Sequence, residues 1–274
     1  MPRFCANLSL LFNEHAFPDR FQAAARAGFS AVEYQFPYAW DKHEVAARAS
    51  DAGMEVVMFN LPAGNREQGE IGIACLADRT NEFHAGVARG IEYASAANCK
   101  HLNLLAGIAP PPSQQAEAMT RATLIANLRY AAEELNKAGM TLLVEAINTR
   151  TIPGFYVCRS AQALDLMDEA GADNARLQYD VFHMQIMEGD LATRTQAILP
   201  RIGHIQVADT PDRHEPGTGE IDFPALFEHL DRVGYEGWVG AEYIPRAGTL
   251  EGMGWVRPYL QRTFAAGVSK SKAA

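Results

Sequence analysis

Residues 136–148 read NKAGMTLLVEAIN, and this stretch contains the pattern that decides the fold. A helical segment ends at Gly139, a short apolar run follows, and the run stops at the polar residue Glu145. Glycine readily adopts the left-handed conformation that terminates many helices. A nearly continuous apolar run is typical of a parallel strand that is covered on both faces. The stretch therefore predicts a helix followed by a buried parallel strand.

The same helix-to-strand pattern occurs seven times along the chain. The passages are ARAGFSAVEY (25–34), SDAGMEVVMFN (50–60), AANCKHLNLL (96–105), NKAGMTLLVEAIN (136–148), DEAGADNARLQYD (168–180), PRIGHIQVAD (200–209) and DRVGYEGWVGAEY (231–243). RFCANLS (3–9) adds an opening strand with no helix before it, which makes eight strands. Strands that alternate with helices indicate βαβ units and a parallel sheet.

Eight such units without a linker or a break in composition predict a (β/α)8 TIM barrel. We expect one barrel domain over residues 1–266 and a disordered tail over residues 267–274. A doubly wound open sheet is the structural alternative. That fold normally carries a glycine fingerprint after an early strand, and neither G-x-G-x-x-G nor G-x-x-x-x-G-K-[ST] is present.

Composition and charge narrow the classes of partner. The chain has 274 residues, of which 48% are hydrophobic and 21% charged, as in a globular protein with a large core. The net charge of -9 and the absence of a run of five Lys or Arg argue against nucleic acid as a partner. No signal-peptide pattern and no stretch of 18 apolar residues is found, so we expect a cytoplasmic protein that does not bind membranes. A homo-oligomer is left open.

The cysteines also indicate a cytoplasmic protein. They are scattered without a C-x-x-C pair, and a chain of this size needs no disulfide, so we expect reduced, mostly buried thiols. The four positions are Cys5, Cys75, Cys99 and Cys158.

The longest predicted connections all follow strands rather than helices. They span residues 60–77, 105–116, 146–160 and 208–222. In (β/α)8 barrels the catalytic groups lie on these loops and at the carboxyl ends of the strands. The sequence therefore predicts an active site at that end of the barrel.

Four of the predicted strands end on oxygen-bearing side chains. These are Glu145, Asp180, Gln206 and Glu242, separated by 35, 26 and 36 residues. Each interval is close to one βαβ repeat, so the four belong to strands 5 to 8 and can converge at the barrel mouth. An all-oxygen set with three carboxylates favours one Mg²⁺ or Mn²⁺ ion over Zn²⁺. Solvated strand-end residues, or residues paired with lysine, are the alternative.

Charge also predicts how a substrate would bind. Three carboxylates around a divalent cation leave one negative charge, so an anionic substrate needs a further cation. Arg213 is the candidate for a carboxylate clamp, since a guanidinium binds carboxylates in a bidentate manner. His183, placed in the loop after strand 6, either polarises a substrate oxygen or makes a supporting hydrogen bond. His214 lies beside Arg213.

Other polar residues indicate a function less specifically. Asn7, Asn60 and Asn103 lie near the ends of strands 1, 3 and 4 and are candidates for the pocket lining. Three histidines lie early in strands or within a helix and are interpreted as structural: His101, His204 and His229.

Motifs along nearly the whole chain resemble the hydroxypyruvate isomerase family, which belongs to the xylose-isomerase-like barrels. They are VEYQFPYAW (32–40), FNLPAGN (59–65), VEAIN (144–148), YDVFHMQ (179–185), HIQVAD (204–209), DRHEPGTGEIDFP (212–224) and GWVGAEYIP (237–245). The resemblance implies that Glu145 and Glu242 are both metal ligands and the acid/base pair, with Asp180 and Gln206 completing the coordination. The related epimerases usually have histidine at the position of Gln206. The chain departs from the family at Ala146, where proline is common, and at Asp209, which we expect to add negative charge near Arg213.

The activity that this resemblance implies is the interconversion of hydroxypyruvate and tartronate semialdehyde, or of a related four-carbon oxo acid, through an enediolate. It requires no nicotinamide or flavin. A sugar or inosose epimerase or a dehydratase of the same superfamily is one alternative, and a non-catalytic barrel that binds sugar acids is another. The aromatic segment FPYAW (36–40) is either a lid over the pocket or a dimer contact.

Overall fold

Eight parallel strands form a closed barrel in the order β1 to β8 in this computed structural model, which describes residues 1–111 and 113–260. The strands are β1 (Arg3–Asn7), β2 (Ala31–Tyr34), β3 (Glu55–Asn60), β4 (His101–Leu104), β5 (Thr141–Glu145), β6 (Ala175–Asp180), β7 (Ile202–Val207) and β8 (Trp238–Ala241). The predicted (β/α)8 barrel is confirmed, strand by strand. The predicted tail over residues 267–274 lies outside the described residues.

Helices cover the outside of the barrel. They are α1 (Phe17–Arg26), α2 (Lys42–Asp51), α3 (Thr80–Ala96), α4 (Gln114–Lys137), α5 (Ser160–Ala170), α6 (Val181–Met187), α7 (Leu191–Ile198) and α8 (Phe223–Arg232). Short 3-10 turns span Arg66–Gln68, Ala77–Arg79, Leu199–Arg201 and Glu251–Met253. Within the described residues, no helix is both long and apolar enough to cross a membrane.

The helix ends and the strand register follow the sequence pattern. Gly139 has a φ of 66°, the left-handed conformation expected where α4 stops before β5. Parallel pairing then sets Glu145 of β5 beside Gln178 of β6, and Asp180 beside Gln206 of β7. The predicted polar strand ends are thus held side by side by backbone hydrogen bonds.

His183 is not in a loop, as we expected, but in the first turn of α6. The helix begins directly after β6, and Asp180 is its N-cap: Asp180 Oδ1 accepts from the backbone N–H groups of Phe182 (2.8 Å) and His183 (3.4 Å). A short polar side chain before a helix satisfies otherwise unpaired N–H groups. One residue therefore ends a strand and starts a helix.

The barrel interior contains a charged residue where packing is tight. Glu33 of β2 is fully buried, and a Cβ placed on Gly240 of β8 would lie 2.3 Å from Glu33 Oε2. The missing side chain of Gly240 makes room for the carboxylate.

We predict that Gly240→Ala destabilises the fold by about 1–3 kcal/mol, the usual cost of overpacking a core. Urea denaturation with and without the substitution measures it. Gly254→Ala is the control, because nothing lies within 4 Å of a Cβ at that position. Equal stability of the two variants would contradict the steric role of Gly240.

Candidate active site

A cavity of about 240 Å³ opens at the carboxyl ends of the strands. Three of the four predicted metal ligands line it: Glu145, Gln206 and Glu242. Asp180 is 1% exposed and lies behind the guanidinium of Arg213, so it is adjacent to the cavity without lining it. The volume is below the roughly 300–1,000 Å³ of typical ligand pockets, which favours a small substrate.

Arg213 pairs with two of the carboxylates. Its Nη2 lies 2.9 Å from Asp180 Oδ2 and 2.5 Å from Glu242 Oε2, and its Nη1 lies 3.1 Å from His183 Nε2. Arg213 was predicted to lie in the pocket, but these ion pairs were not predicted, because Arg213 is far from both carboxylates along the chain.

The two glutamates have unusual acidities. Burial raises the pKa of Glu145 well above its ordinary value, and the nearby charges of Glu242 and Asp180 raise it further. Burial also raises the pKa of Glu242, to about 7, although Arg213 opposes the increase. A carboxyl group whose pKa is near neutral can both accept and donate protons at physiological pH. Glu242 therefore has an acidity suited to proton transfer.

His183 is neutral and its hydrogen-bonding role is determined by its neighbours. Burial lowers its pKa to about 4. Asn148 Oδ1 accepts from the backbone of Arg150 and Thr151, so its amide nitrogen faces His183 Nδ1 at 2.6 Å. A neutral ring that accepts at Nδ1 carries its hydrogen on Nε2, 3.4 Å from Asp180 Oδ2 and 3.8 Å from Glu145 Oε1. In this tautomer Nε2 does not accept from Arg213 Nη1, which lies 3.1 Å away and is also a donor.

The three predicted asparagines occupy different places. Asn7 and Asn60 line the cavity, and Asn7 Nδ2 donates to Glu242 Oε1 at 3.1 Å. Asn103 lies deeper than we expected: it is fully buried and donates to Glu145 Oε2 at 2.9 Å. Asn103 thus holds a glutamate in place from behind.

Glu33 was missed by the sequence analysis and lies beneath the site. Its Oε1 accepts from Gln206 Nε2 (2.7 Å) and Asn7 Nδ2 (2.9 Å), and its Oε2 lies 2.5 Å from His204 Nε2. Burial raises the pKa of Glu33, but the charge of His204 and these hydrogen bonds outweigh burial and hold it below its ordinary value. The signal was present, since AVEY interrupts an apolar strand with a glutamate just as LLVEA does.

His204, which we interpreted as structural from its position, forms this buried ion pair with Glu33. Among the described residues, two groups of three buried side chains have ligand atoms within 4.8 Å of one another. One group is Cys5, Glu33 and His204, and the other is Glu145, Asp180 and His183.

Asp209 is bound by the backbone of its own loop, a role that the sequence did not predict. It is 1% exposed and accepts from the backbone N–H groups of Thr210, Gly217, Gly219 and Ile221 at 2.8–3.2 Å. A carboxylate with several backbone donors is satisfied and organises the chain around it. Asp209 therefore shapes the loop that carries Arg213.

The residues at the mouth suit a divalent cation. If fully ionised, Glu145, Asp180 and Glu242 hold three negative charges in a buried place, and Arg213 offsets one of them. Glu33 accepts from the amide nitrogen of Gln206, and Gln206 Oε1 accepts from Gln178 Nε2 at 2.7 Å, which leaves one lone pair of Oε1 for another partner. Oxygen ligands and two uncompensated negative charges match a hard divalent cation.

Further side chains of the cavity were not predicted as site residues. They are Gln35, Phe36, Arg66, Ile71 and Gln178, among others. Gln35 donates to Glu242 Oε1 at 3.0 Å. Of the aromatic segment 36–40, only Phe36 lines the cavity, while Tyr38 and Trp40 pack against the core.

We predict that Glu33 and His204 are strongly coupled in stability. Glu33→Gln and His204→Gln should each lower the free energy of unfolding by about 3 kcal/mol or more, because each leaves a buried polar partner unpaired. The loss of unfolding free energy in the double variant should be smaller than the sum of the two single losses by at least about 1 kcal/mol. Urea denaturation measures all three. Glu33→Gln combined with the exposed His43→Gln should be additive; additivity of the Glu33 and His204 pair would refute the coupling.

Comparison with known proteins identifies relatives over nearly the whole chain. The family profile described as xylose isomerase-like TIM barrel matches residues 21–259. The 2-oxo-tetronate isomerase of Cupriavidus necator is 45% identical over 262 residues, which cover 96% of this chain and 100% of that protein. The hydroxypyruvate isomerase of Escherichia coli K12 is 46% identical over 259 residues, with 94% and 100% covered.

Solved structures agree on the fold. A crystal structure of AP endonuclease, family 2 from Brucella melitensis has a TM-score of 0.91 at 42% identity and covers 94% of this chain and 99% of that one. An L-ribulose 3-epimerase has a TM-score of 0.77 at 22% identity, with 100% and 98% covered, which shows a shared fold alone. Because these relatives are 45% and 46% identical and are covered over their full length, the chain belongs to the hydroxypyruvate isomerase family of xylose isomerase-like TIM barrels and is an isomerase.

Proposed function

We propose that the protein interconverts hydroxypyruvate and tartronate semialdehyde, or the corresponding four-carbon oxo acids, by proton transfer between adjacent carbons. One observation carries the proposal: Glu145 and Glu242 face one small cavity, and burial raises the pKa of both. Two relatives that are 45% and 46% identical bear the names of such isomerases.

The reaction moves one proton between two carbons and one between two oxygens, and it requires no redox partner. A proton leaves the carbon that bears the hydroxyl and one returns to the neighbouring carbonyl carbon, while a hydroxyl proton passes from one oxygen to the other. One of Glu145 and Glu242 accepts the carbon-bound proton and the other donates one. Such acid/base work contributes about 10² to 10⁴ in rate.

The surrounding residues orient the glutamates and the substrate. Asn103 fixes Glu145, and Asn7 fixes Glu242. His183 offers its Nε2 hydrogen to a substrate oxygen, where negative charge develops in the enediolate. Arg213, Asn7 and Asn60 are further proposed contacts for substrate oxygens.

Glu145, Asp180, Gln206 and Glu242 would hold a divalent cation, which we propose is Mg²⁺ or Mn²⁺. When bound, such an ion supplies Lewis-acid stabilisation of the negative charge that develops on the substrate oxygens. The glutamates would then serve both as ligands and as proton carriers, since each carboxylate has two oxygens.

An endonuclease is the alternative suggested by the name of the Brucella structure. A zinc-dependent site for nucleic acid would be expected to present several histidines and a basic surface. Within the described residues, His183 is the one histidine that lines the cavity, and the whole chain carries a net charge of -9. The isomerase is therefore favoured.

We predict that Glu145→Gln and Glu242→Gln each lower the rate of proton exchange at least 100-fold. The measurement follows deuterium incorporation and product formation by NMR, with Mn²⁺ or Mg²⁺ and either hydroxypyruvate or 2-oxo-tetronate in deuterated water. Glu228→Gln, an exposed residue of α8, is the control and should match the unaltered protein. Exchange that survives in both site variants would rule out the two-glutamate mechanism.

We also predict that Mn²⁺ binding releases protons and weakens as pH falls. The pKa of Glu242 is raised to about 7 without a metal, so a ligand must lose its proton on binding. Below pH 7 the affinity should fall by up to about tenfold per pH unit for each proton released. Titration calorimetry between pH 6 and 8, in buffers of different ionisation enthalpy, measures both quantities. An affinity that does not change with pH would contradict the prediction.

A further inference from the structure

A second guanidinium in the cavity has no role in the site described so far. Arg66 lines the same cavity as Glu145 and Glu242, and it begins the 3-10 turn Arg66–Gln68 in the loop after β3. Its guanidinium lies 4.7 Å from the centre of the Phe36 ring, and its Nη1 donates to the backbone carbonyl of Glu70 at 2.5 Å. Arg66 is thus held at the mouth of the pocket by one hydrogen bond and one ring contact.

Arg66 has no ion-pair partner among the described residues. It is exposed at the mouth, and across residues 1–111 and 113–260 no carboxylate forms an ion pair with it. Arg213 differs, because it already pairs with both Asp180 and Glu242. An exposed guanidinium that lacks a counter-ion is well suited to bind an anionic ligand.

The loop that carries Arg66 is held in position on both sides. Asn65 caps the turn, and its backbone N–H donates to Glu70 Oε2 at 2.5 Å. Glu70 in turn pairs with Arg79 at 2.8 Å. Further along, a Cβ on Gly107 would lie 2.3 Å from the carbonyl oxygen of Gly72, so the loops after β3 and β4 are in direct backbone contact. Arg66 therefore lies on a loop that is held in place by hydrogen bonds and backbone contacts.

Topology places Arg66 across the mouth from Gln206 and Arg213. In a closed barrel of eight strands, β3 lies opposite β7. Gln206 is on β7 and Arg213 is in the loop after it, whereas Arg66 follows β3. Glu145 ends β5 and Glu242 follows β8, so both lie between these two sides and line the same cavity as Arg66. A small molecule in the cavity can therefore contact the glutamates and Arg66 together.

We infer that Arg66 binds the carboxylate of the oxo-acid substrate and thereby selects acids over uncharged sugars. This inference rests on the proposed function. A divalent cation and Arg213 together offset the charges of Glu145, Asp180 and Glu242, so the negative charge of the substrate requires another cation. Arg66 is the cation of the cavity that meets this requirement, and Arg213 remains with the reacting oxygens.

The test compares hydroxypyruvate with dihydroxyacetone, in which a hydroxymethyl group replaces the carboxylate. Arg66→Gln should raise KM for hydroxypyruvate about 10- to 100-fold, as for loss of a charge-assisted hydrogen bond, with a smaller change in kcat. The kcat/KM for dihydroxyacetone should stay unchanged. Arg66→Lys should recover part of the affinity, and Arg121→Gln, an exposed residue paired with Glu169 on the outer helices, should behave as the unaltered protein.

Two outcomes would overturn the inference. Equal losses for both substrates in Arg66→Gln would indicate a structural role, and a selective loss for hydroxypyruvate in Arg213→Gln but not in Arg66→Gln would assign the carboxylate to Arg213.

If the unaltered enzyme converts neither oxo acid, the proposed function fails, and calorimetric binding of D-glycerate in the presence of Mn²⁺ tests Arg66 separately. At least tenfold weaker D-glycerate binding in Arg66→Gln supports the anchor, and unchanged binding refutes it.

Discussion

Glu145, Asp180 and Glu242 hold three carboxyl groups in one buried place, and Arg213 is shared between two of them. Removing carboxylates from water is costly, and mutual repulsion increases the cost. The protein accommodates the group because each residue is at, or next to, the end of a strand whose backbone is fixed by its neighbours. The raised pKa values of Glu145 and Glu242 follow from this one constraint, and so do the cation binding and proton transfer that we propose.

A second layer of polar residues lies beneath the carboxyl groups at the mouth and supports them. Glu33 and His204 form a buried pair that fixes the amides of Gln206 and Asn7, and Asn7 continues to Glu242. A fully satisfied polar network of this kind restricts each side chain to one orientation. The orientation of Gln206, Asn7 and Glu242 is thus set from below. Asp180, as the N-cap of α6, and Asp209, at the centre of the loop after β7, determine where His183 and Arg213 lie.

The repeated strands, their order and the positions of the four polar strand-end residues followed from the sequence. Apolar runs that stop at a polar residue depend on local periodicity, which can be read along the chain. The same reasoning overlooked Glu33, although its strand has the pattern that identified Glu145. It also placed His183 in a loop, because the helix-capping role of Asp180 was read as the end of a strand alone.

The sequence by itself therefore determined the barrel, its eight strands and the end of the barrel that carries the polar groups, because these depend on patterns within each repeat. Tertiary structure alone decided which charges meet. Arg213 pairs with Asp180 and Glu242, Glu33 pairs with His204, and Arg66 lines the cavity with no carboxylate partner among the described residues. These residues are 29 to 171 positions apart where they pair, and only closure of the barrel brings them within hydrogen-bonding distance.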